Sequence, residues 1–183
     1  QRTGVITRKR ASDAVSAADL ATAAAQEAIR KAGIESSDIG AVIIATISNE
    51  VQTPSMAALV ADRVGATPAA AYDISAACAG FCYGLAQADA LIRAGAARYV
   101  LVIGAEKLSL LAKPTDRTIS FLLGDGAGAV IVGPADEPGI SASIWGSDGG
   151  KWDAVGMDTT IRSAVESREG EHPTLRQDGQ TVF

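Results

Sequence analysis

Cysteine is scarce in this 183-residue chain: only Cys78 and Cys82 occur, one helical turn apart. Two thiols at that spacing provide neither a disulfide framework nor a four-ligand zinc site, and a reducing cytoplasm is the simplest compartment for them. Long apolar runs are missing too. Stretches such as Ala41 to Ala45 and Tyr99 to Ile103 are short and punctuated, far from the roughly 20 residues of a membrane helix. Basic charge is in deficit, with 16 Lys and Arg against 21 Asp and Glu and a formal net charge of −5. That is the wrong sign for a chain that coats nucleic acid. Neither nucleic acid nor membrane is therefore an expected partner, and any anionic ligand has to be held by local arginines. An initiator methionine and a charged start with an apolar signal core are also absent. With an equally abrupt end at Thr181-Val182-Phe183, a fragment of a longer protein is expected. No internal repeat or low-complexity tract is found.

What is present reads as a soluble globular chain, 48% hydrophobic and 20% charged, of one large domain or a domain with an excursion. Ser16 and Asp19 have capping-box spacing ahead of a helix to Lys31, with Gly33 as its stop. Ala41 to Ala45 is a short apolar run suited to a strand covered on both faces. A second helix is expected from Pro54 to Gly65 with Thr53 as its cap, then a strand at Ala70 to Ile74, a helix from Cys78 to Gly95 and a strand at Tyr99 to Gly104. The alternation predicts an α/β layer architecture. Past the turn-rich Lys113-Pro-Thr-Asp-Arg117, strands are expected at Ile119 to Leu123, Ala127 to Gly133 and Ile140 to Trp145. Residues 146–172 read as a polar excursion.

The candidate chemistry lies where the strand ending near Ser75 runs through Ala76-Ala77-Cys78-Ala79-Gly80 into a helix. A thiol at a strand-to-helix turn, surrounded by small residues, is how a nucleophile elbow is built. The positive end of a helix favours thiolate over thiol. The alternative, a small buried hydrophobe, is outweighed by that context for Cys78 but not for Cys82, which is expected to pack. Gly124-x-Gly126-x-Gly128 lacks the G-x-G-x-x-G spacing at a helix start and precedes a strand-like Val130-Ile-Val132, so a nicotinamide cofactor is rejected. These glycines read as a tight passage of backbone. His172, between Glu171 and Pro173, reads as a surface-loop residue, Trp145 and Trp152 as packing residues, and Arg8-Lys9-Arg10 as a solvated basic run.

Asp73-Ile-Ser-Ala-Ala-Cys-Ala-Gly-Phe81 resembles the active-site segment of the β-ketoacyl-acyl-carrier-protein synthase III family, condensing enzymes of the thiolase superfamily. Arg2-Thr-Gly-Val5, Pro114-Thr-Asp-Arg117, Gly124-Asp-Gly-Ala-Gly-Ala129 and Asp178-Gly-Gln-Thr-Val-Phe183 agree in order and spacing. The resemblance implies the N-terminal half of a thiolase-like layered α/β/α fold. Its domain would be residues 1–145, lacking the start, with 146–183 as an excursion and the beginning of a connection to a C-terminal half.

Carried over, Cys78 is the nucleophile that takes an acyl group from acyl-CoA, its backbone N–H helping to hold the oxyanion. Malonyl-acyl-carrier protein is the second partner. Arg117 would stack on the CoA adenine and Arg2 would lie near the CoA phosphates. Thr53 would sit in the loop that reaches a partner's acyl pocket in a homodimer paired through Ala70 to Ile74. No metal or redox cofactor is implied, and acyl-CoA is the substrate. The histidine and asparagine that hold the enolate in the family belong to the C-terminal half; His172 and Asn49 match neither. Two other readings stay open, a relative that transfers acyl groups to oxygen or nitrogen and a non-catalytic structural fragment or subunit.

Overall fold

The structure, a computed structural model, describes residues 4–137, 139–166 and 173–182. Two compact units divide the chain. One comprises Ala11–Glu106 and Gly126–Ser143, the other the described residues of Gln1–Arg10, Lys107–Asp125 and Ile144–Phe183.

The first unit is a layered sheet. Helix α1, Ala17–Ala32, starts at the expected capping box: the Ser16 hydroxyl accepts from the Asp19 N–H at 3.1 Å and the Asp19 carboxylate from the Ser16 N–H at 2.8 Å. It ends at Gly33, whose φ of 65° a side chain would resist. Strand β1 is Ile39–Ala45, helix α2 Met56–Val64, strand β2 Ala70–Ile74, helix α3 Gly80–Arg93, strand β3 Tyr99–Lys107 and strand β4 Asp125–Val132. The sheet order is β2-β1-β3-β4, with β1 parallel to both β2 and β3.

The side-chain period of two explains why β1 is apolar throughout. Val42 and Ile44 point into a core with Ala21 and Ala25 of α1 and Ala57 and Val60 of α2, whereas Ala41 and Ile43 meet Ala88 of α3 on the opposite face. Helices thus cover both faces, the α/β/α layering expected from the sequence.

The α2 cap differs from the expectation. Ser55, not Thr53, accepts from the Ala58 N–H at 3.2 Å, and the helix begins at Met56. Pro54 lies before the helix because the Met56 and Ala57 N–H groups are taken by the Asp73 carboxylate of β2 at 2.7 and 2.8 Å.

In the second unit, β5, Val155–Met157, pairs antiparallel with β6, Leu175–Gln177. Between them lies α4, Ile161–Glu166, and α5, Gly179–Val182, follows. The Leu175 N–H donates to the Leu111 carbonyl at 2.8 Å and the Gln177 amide to the Thr118 carbonyl at 2.8 Å, tying the late chain to the 111–118 segment.

Two expected strands are absent. Residues 119–123 form turns, since the Ser120 and Leu122 N–H groups bond the Asp116 and Ile119 carbonyls of the same stretch instead of a neighbouring strand. Residues 140–145 are also not a strand, and their apolar side chains are not buried: Ile144 is 99% exposed. Trp145 and Trp152, read as packing residues, are both exposed, and so is Cys82. Among the described residues no helix is long and apolar enough to cross a membrane.

Candidate active site

Strand β2 delivers the chain to Ser75, and the reversal into α3 is made by Ala76 and Ala77. Ala77 has φ 43°, the one positive value at a described residue other than glycine. Left-handed backbone costs an L-residue on the order of 1 kcal/mol, and such strain gathers where geometry is demanded by function. A single 3-10 turn, Ala77–Ala79, then leads into α3. Within it the Ala79 and Gly80 N–H groups bond the Ala76 and Ala77 carbonyls. The Cys78 N–H has no partner among the described residues, and neither have the N–H groups of Ala76 and Ala77 before it.

Cys78 is exposed and unbridged. It lines a cavity of about 290 Å³ together with Ala45, Phe81, Gly104, Glu106, Gly126 and Gly128, among others. A larger cavity of about 550 Å³, between α3 and residues 130–140, is lined by the Asp89–Arg93 ion pair but by no cysteine, serine or threonine. Reactivity, not size, selects the smaller one.

The thiol is placed by close helix–sheet approach. A Cβ added at Gly80 would lie 2.9 Å from the Ala45 Cβ, and one at Gly84 2.9 Å from the Val102 Cγ1. Gly80, Gly84 and Ala88 therefore form the buried stripe of α3. The glycine-rich segment behaves differently from the tight passage expected of it. A Cβ at Gly124 would meet the Lys9 carbonyl at 3.1 Å, but Gly126 and Gly128 have nothing within 4 Å, so their missing side chains leave the cavity open.

One wall of the cavity is acidic. Glu106, near the end of β3, accepts from the Ile47 N–H at 3.0 Å, the Thr46 hydroxyl at 3.4 Å and the Ser48 hydroxyl. Burial pushes its carboxyl above the ordinary range, against the opposing pull of those donors. Sequence reasoning missed Glu106, Asp73 and the glycine stripe. Gly80-x-x-x-Gly84-x-x-x-Ala88 was a readable signal, as was a lone acid at the end of an apolar strand.

Thr53 is exposed in the turn before α2. Arg117 is exposed in the other unit. Its neighbour Asp116 accepts from the Thr118 N–H and hydroxyl at 2.8 and 2.6 Å, which hold its carboxyl below the usual range. Arg117 makes no ion pair among the described residues, so its guanidinium is available to a ligand. Arg2 and His172 lie outside the described residues. Among those described, no three acidic, cysteine or histidine side chains gather as a metal ion would require.

Residues 72–149, which contain this cavity's thiol and acid, match the family described as 3-oxoacyl-[acyl-carrier-protein (ACP)] synthase III. The whole chain is 52% identical to a β-ketoacyl-[acyl-carrier-protein] synthase III of Kocuria rhizophila, covering 58% of that protein. It is 46% identical to one of Streptomyces glaucescens, covering 55%. Among solved structures it resembles the priming β-ketosynthase from the R1128 polyketide biosynthetic pathway, with a TM-score of 0.95 and 37% identity over all of this chain and 55% of that one. A 3-oxoacyl-(acyl carrier protein) synthase III from Pseudomonas aeruginosa gives 0.89 and 40% identity, over all of this chain and 56% of that one. The chain spans little more than half the length of these relatives.

Proposed function

We propose that this chain, which belongs to the β-ketoacyl-acyl-carrier-protein synthase III family, is the acyl-accepting part of a condensing acyltransferase. The observation that carries the reading is Cys78 at a strained turn, lining an open cavity with its own N–H without a partner among the described residues. The Cys78 sulfur attacks the thioester carbonyl of acyl-CoA, and its N–H stabilises the developing oxyanion. As the C–S bond to CoA breaks, the proton released by the Cys78 thiol ends on the CoA sulfur. Malonyl-acyl-carrier protein then loses carbon dioxide, and the enolate so formed attacks the Cys78 thioester, yielding 3-oxoacyl-carrier protein and the Cys78 thiolate, which takes one proton from solvent to restore the thiol. Covalent capture divides the transfer into two easier steps. Enolate stabilisation is assigned to a histidine and an asparagine of the C-terminal half, by resemblance. The full-length protein, given acyl-CoA and malonyl-carrier protein, is expected to release carbon dioxide and form 3-oxoacyl product; failure to do so would remove the reading.

Residues 1–145 are the proposed N-terminal domain and 146–183 the excursion and link to the C-terminal half. The proposed compartment is the cytoplasm and the proposed assembly a homodimer. Support for the latter is that β2 stands at the sheet edge with β1 as its one neighbour, so its outer side is available to a second copy.

Arg117 and Arg2 are the proposed CoA contacts. A planar guanidinium suits both stacking and phosphate. Arg117→Ala should weaken acyl-CoA binding about fivefold, a modest loss because the group is exposed, with the unfolding curve unchanged. Titration calorimetry with acyl-CoA measures it. Thr53 is the proposed boundary of the partner subunit's acyl pocket in the homodimer, where a small side chain leaves room for branched or longer chains. Thr53→Phe should lower kcat/KM for branched relative to acetyl thioesters by about tenfold, the scale on which hydrophobic pockets discriminate by volume.

A further inference from the structure

Residues 46–57 leave the end of β1, turn through Thr53 and re-enter the fold as the first residues of α2. A carboxylate from a neighbouring strand fastens each end. At the departure, Glu106 of β3 receives the Ile47 N–H and the hydroxyls of Thr46 and Ser48. At the return, Asp73 of β2 receives the Met56 and Ala57 N–H groups at 2.7 and 2.8 Å, and the Asn49 amide donates to it at 3.4 Å. Thr46, Ser48, Met56 and Ala57 are buried, whereas residues 50–54 are exposed. The segment thus has two fixed feet and a tip whose position they determine. Hydrogen bonds to ionised acceptors are the strong kind, and backbone donors left unmet inside the fold are costly. Glu106 also lines the Cys78 cavity, so the wall beside the thiol and the departing foot form one hydrogen-bonded unit.

We propose that Asp73 and Glu106 are positioning residues that hold the tip at 50–54 where it reaches the acyl pocket of the partner subunit in the homodimer, and thereby set which acyl chains are accepted. The selectivity part rests on the reading of Thr53 as the pocket boundary. A merely structural staple would affect stability but leave the choice between substrates untouched.

The test uses the full-length protein and four variants, Asp73→Asn, Glu106→Gln, Thr53→Phe and Asp19→Asn. The last weakens the α1 capping box and the ion pair from Asp19 to Arg63 near the end of α2, touches none of the hydrogen bonds that fasten residues 46–57, and controls for general destabilisation. Two quantities are read: amide hydrogen exchange over residues 47–57, and the ratio of kcat/KM for a branched acyl-CoA to that for acetyl-CoA. Asp73→Asn should speed exchange at Met56 and Ala57, Glu106→Gln at Ile47. Each should shift the ratio about fivefold, within the range a changed pocket volume produces, while Asp19→Asn leaves it unchanged. If exchange quickens but the ratio stays constant while Thr53→Phe shifts it, the positioning role is overturned and the Thr53 reading stands. A ratio unmoved by Thr53→Phe overturns the Thr53 reading, and the selectivity role with it. Unchanged exchange in both acid variants overturns the staple itself. Should Asp73→Asn fail to fold, Glu106→Gln alone decides.

Discussion

Cys78→Ala should abolish covalent capture of the acyl group from acyl-CoA by the full-length protein, and Cys82→Ala should leave capture intact. Exposure cannot make this distinction, because both thiols are free and exposed. Geometry does. Cys78 lies in the turn that links β2 to α3, beside an Ala77 held at φ 43°, and it lines the cavity with its own N–H unpaired. Cys82 sits inside α3 and is absent from that lining. Attack on a thioester requires a sulfur and an oxyanion donor within reach of the same carbonyl, and only Cys78 supplies both. Loss of the covalent intermediate should lower turnover by at least about 10³-fold, as removal of a nucleophile does elsewhere. Incubation with acyl-CoA followed by peptide mass mapping reads the result directly. An adduct that persists on Cys78→Ala, or vanishes from Cys82→Ala, would reassign the nucleophile.

Much of the first unit was legible because its signals are local. Ser16, Asp19 and Gly33 mark the ends of α1 by chemistry that operates within one turn, and Ala70 to Ile74 is bounded as the sequence indicates. The strand expected at 119–123 shows the limit. Its composition suits a strand, but a strand exists only where another chain segment meets its N–H and carbonyl groups; here Asp116 and Ile119 meet them first. The same limit hid Glu106 and Asp73. Their partners lie 58–60 and 16–24 residues away in sequence, so no periodicity or local motif announces them. Cys78 was found because its turn, its small neighbours and its helix are contiguous. The acid on the cavity wall comes from a different strand, and only the parallel pairing of β1 with β3 brings it there.

Gly80 is a second place where a single substitution should have a large effect, and two opposing quantities decide its sign. Its φ of −56° and ψ of −45° are ordinary helix values, so alanine would gain about 1 kcal/mol from reduced backbone entropy in the unfolded chain. Against that, the added Cβ would stand 2.9 Å from the Ala45 Cβ and 3.7 Å from its Cα. Ala45 belongs to a strand bonded on both sides, to Ile74 and to Gly104, and cannot withdraw. Overpacking at such a contact costs about 1–3 kcal/mol, so even Gly80→Ala should be destabilising on balance, and Gly80→Val more so. Relief is available only if α3 lifts away from β1, which displaces the turn at Cys78. Gly80→Val should therefore lower both stability in denaturant and the rate of acyl capture. Gly126→Ala is the contrasting change, since a Cβ there meets nothing within 4 Å yet intrudes on the same cavity. It should slow capture while leaving the unfolding midpoint nearly unchanged. Unfolding curves and capture rates for both full-length variants test the distinction: a Gly80→Val protein as stable and as fast as the parent would mean that α3 does not owe its position, or Cys78 its placement, to that contact.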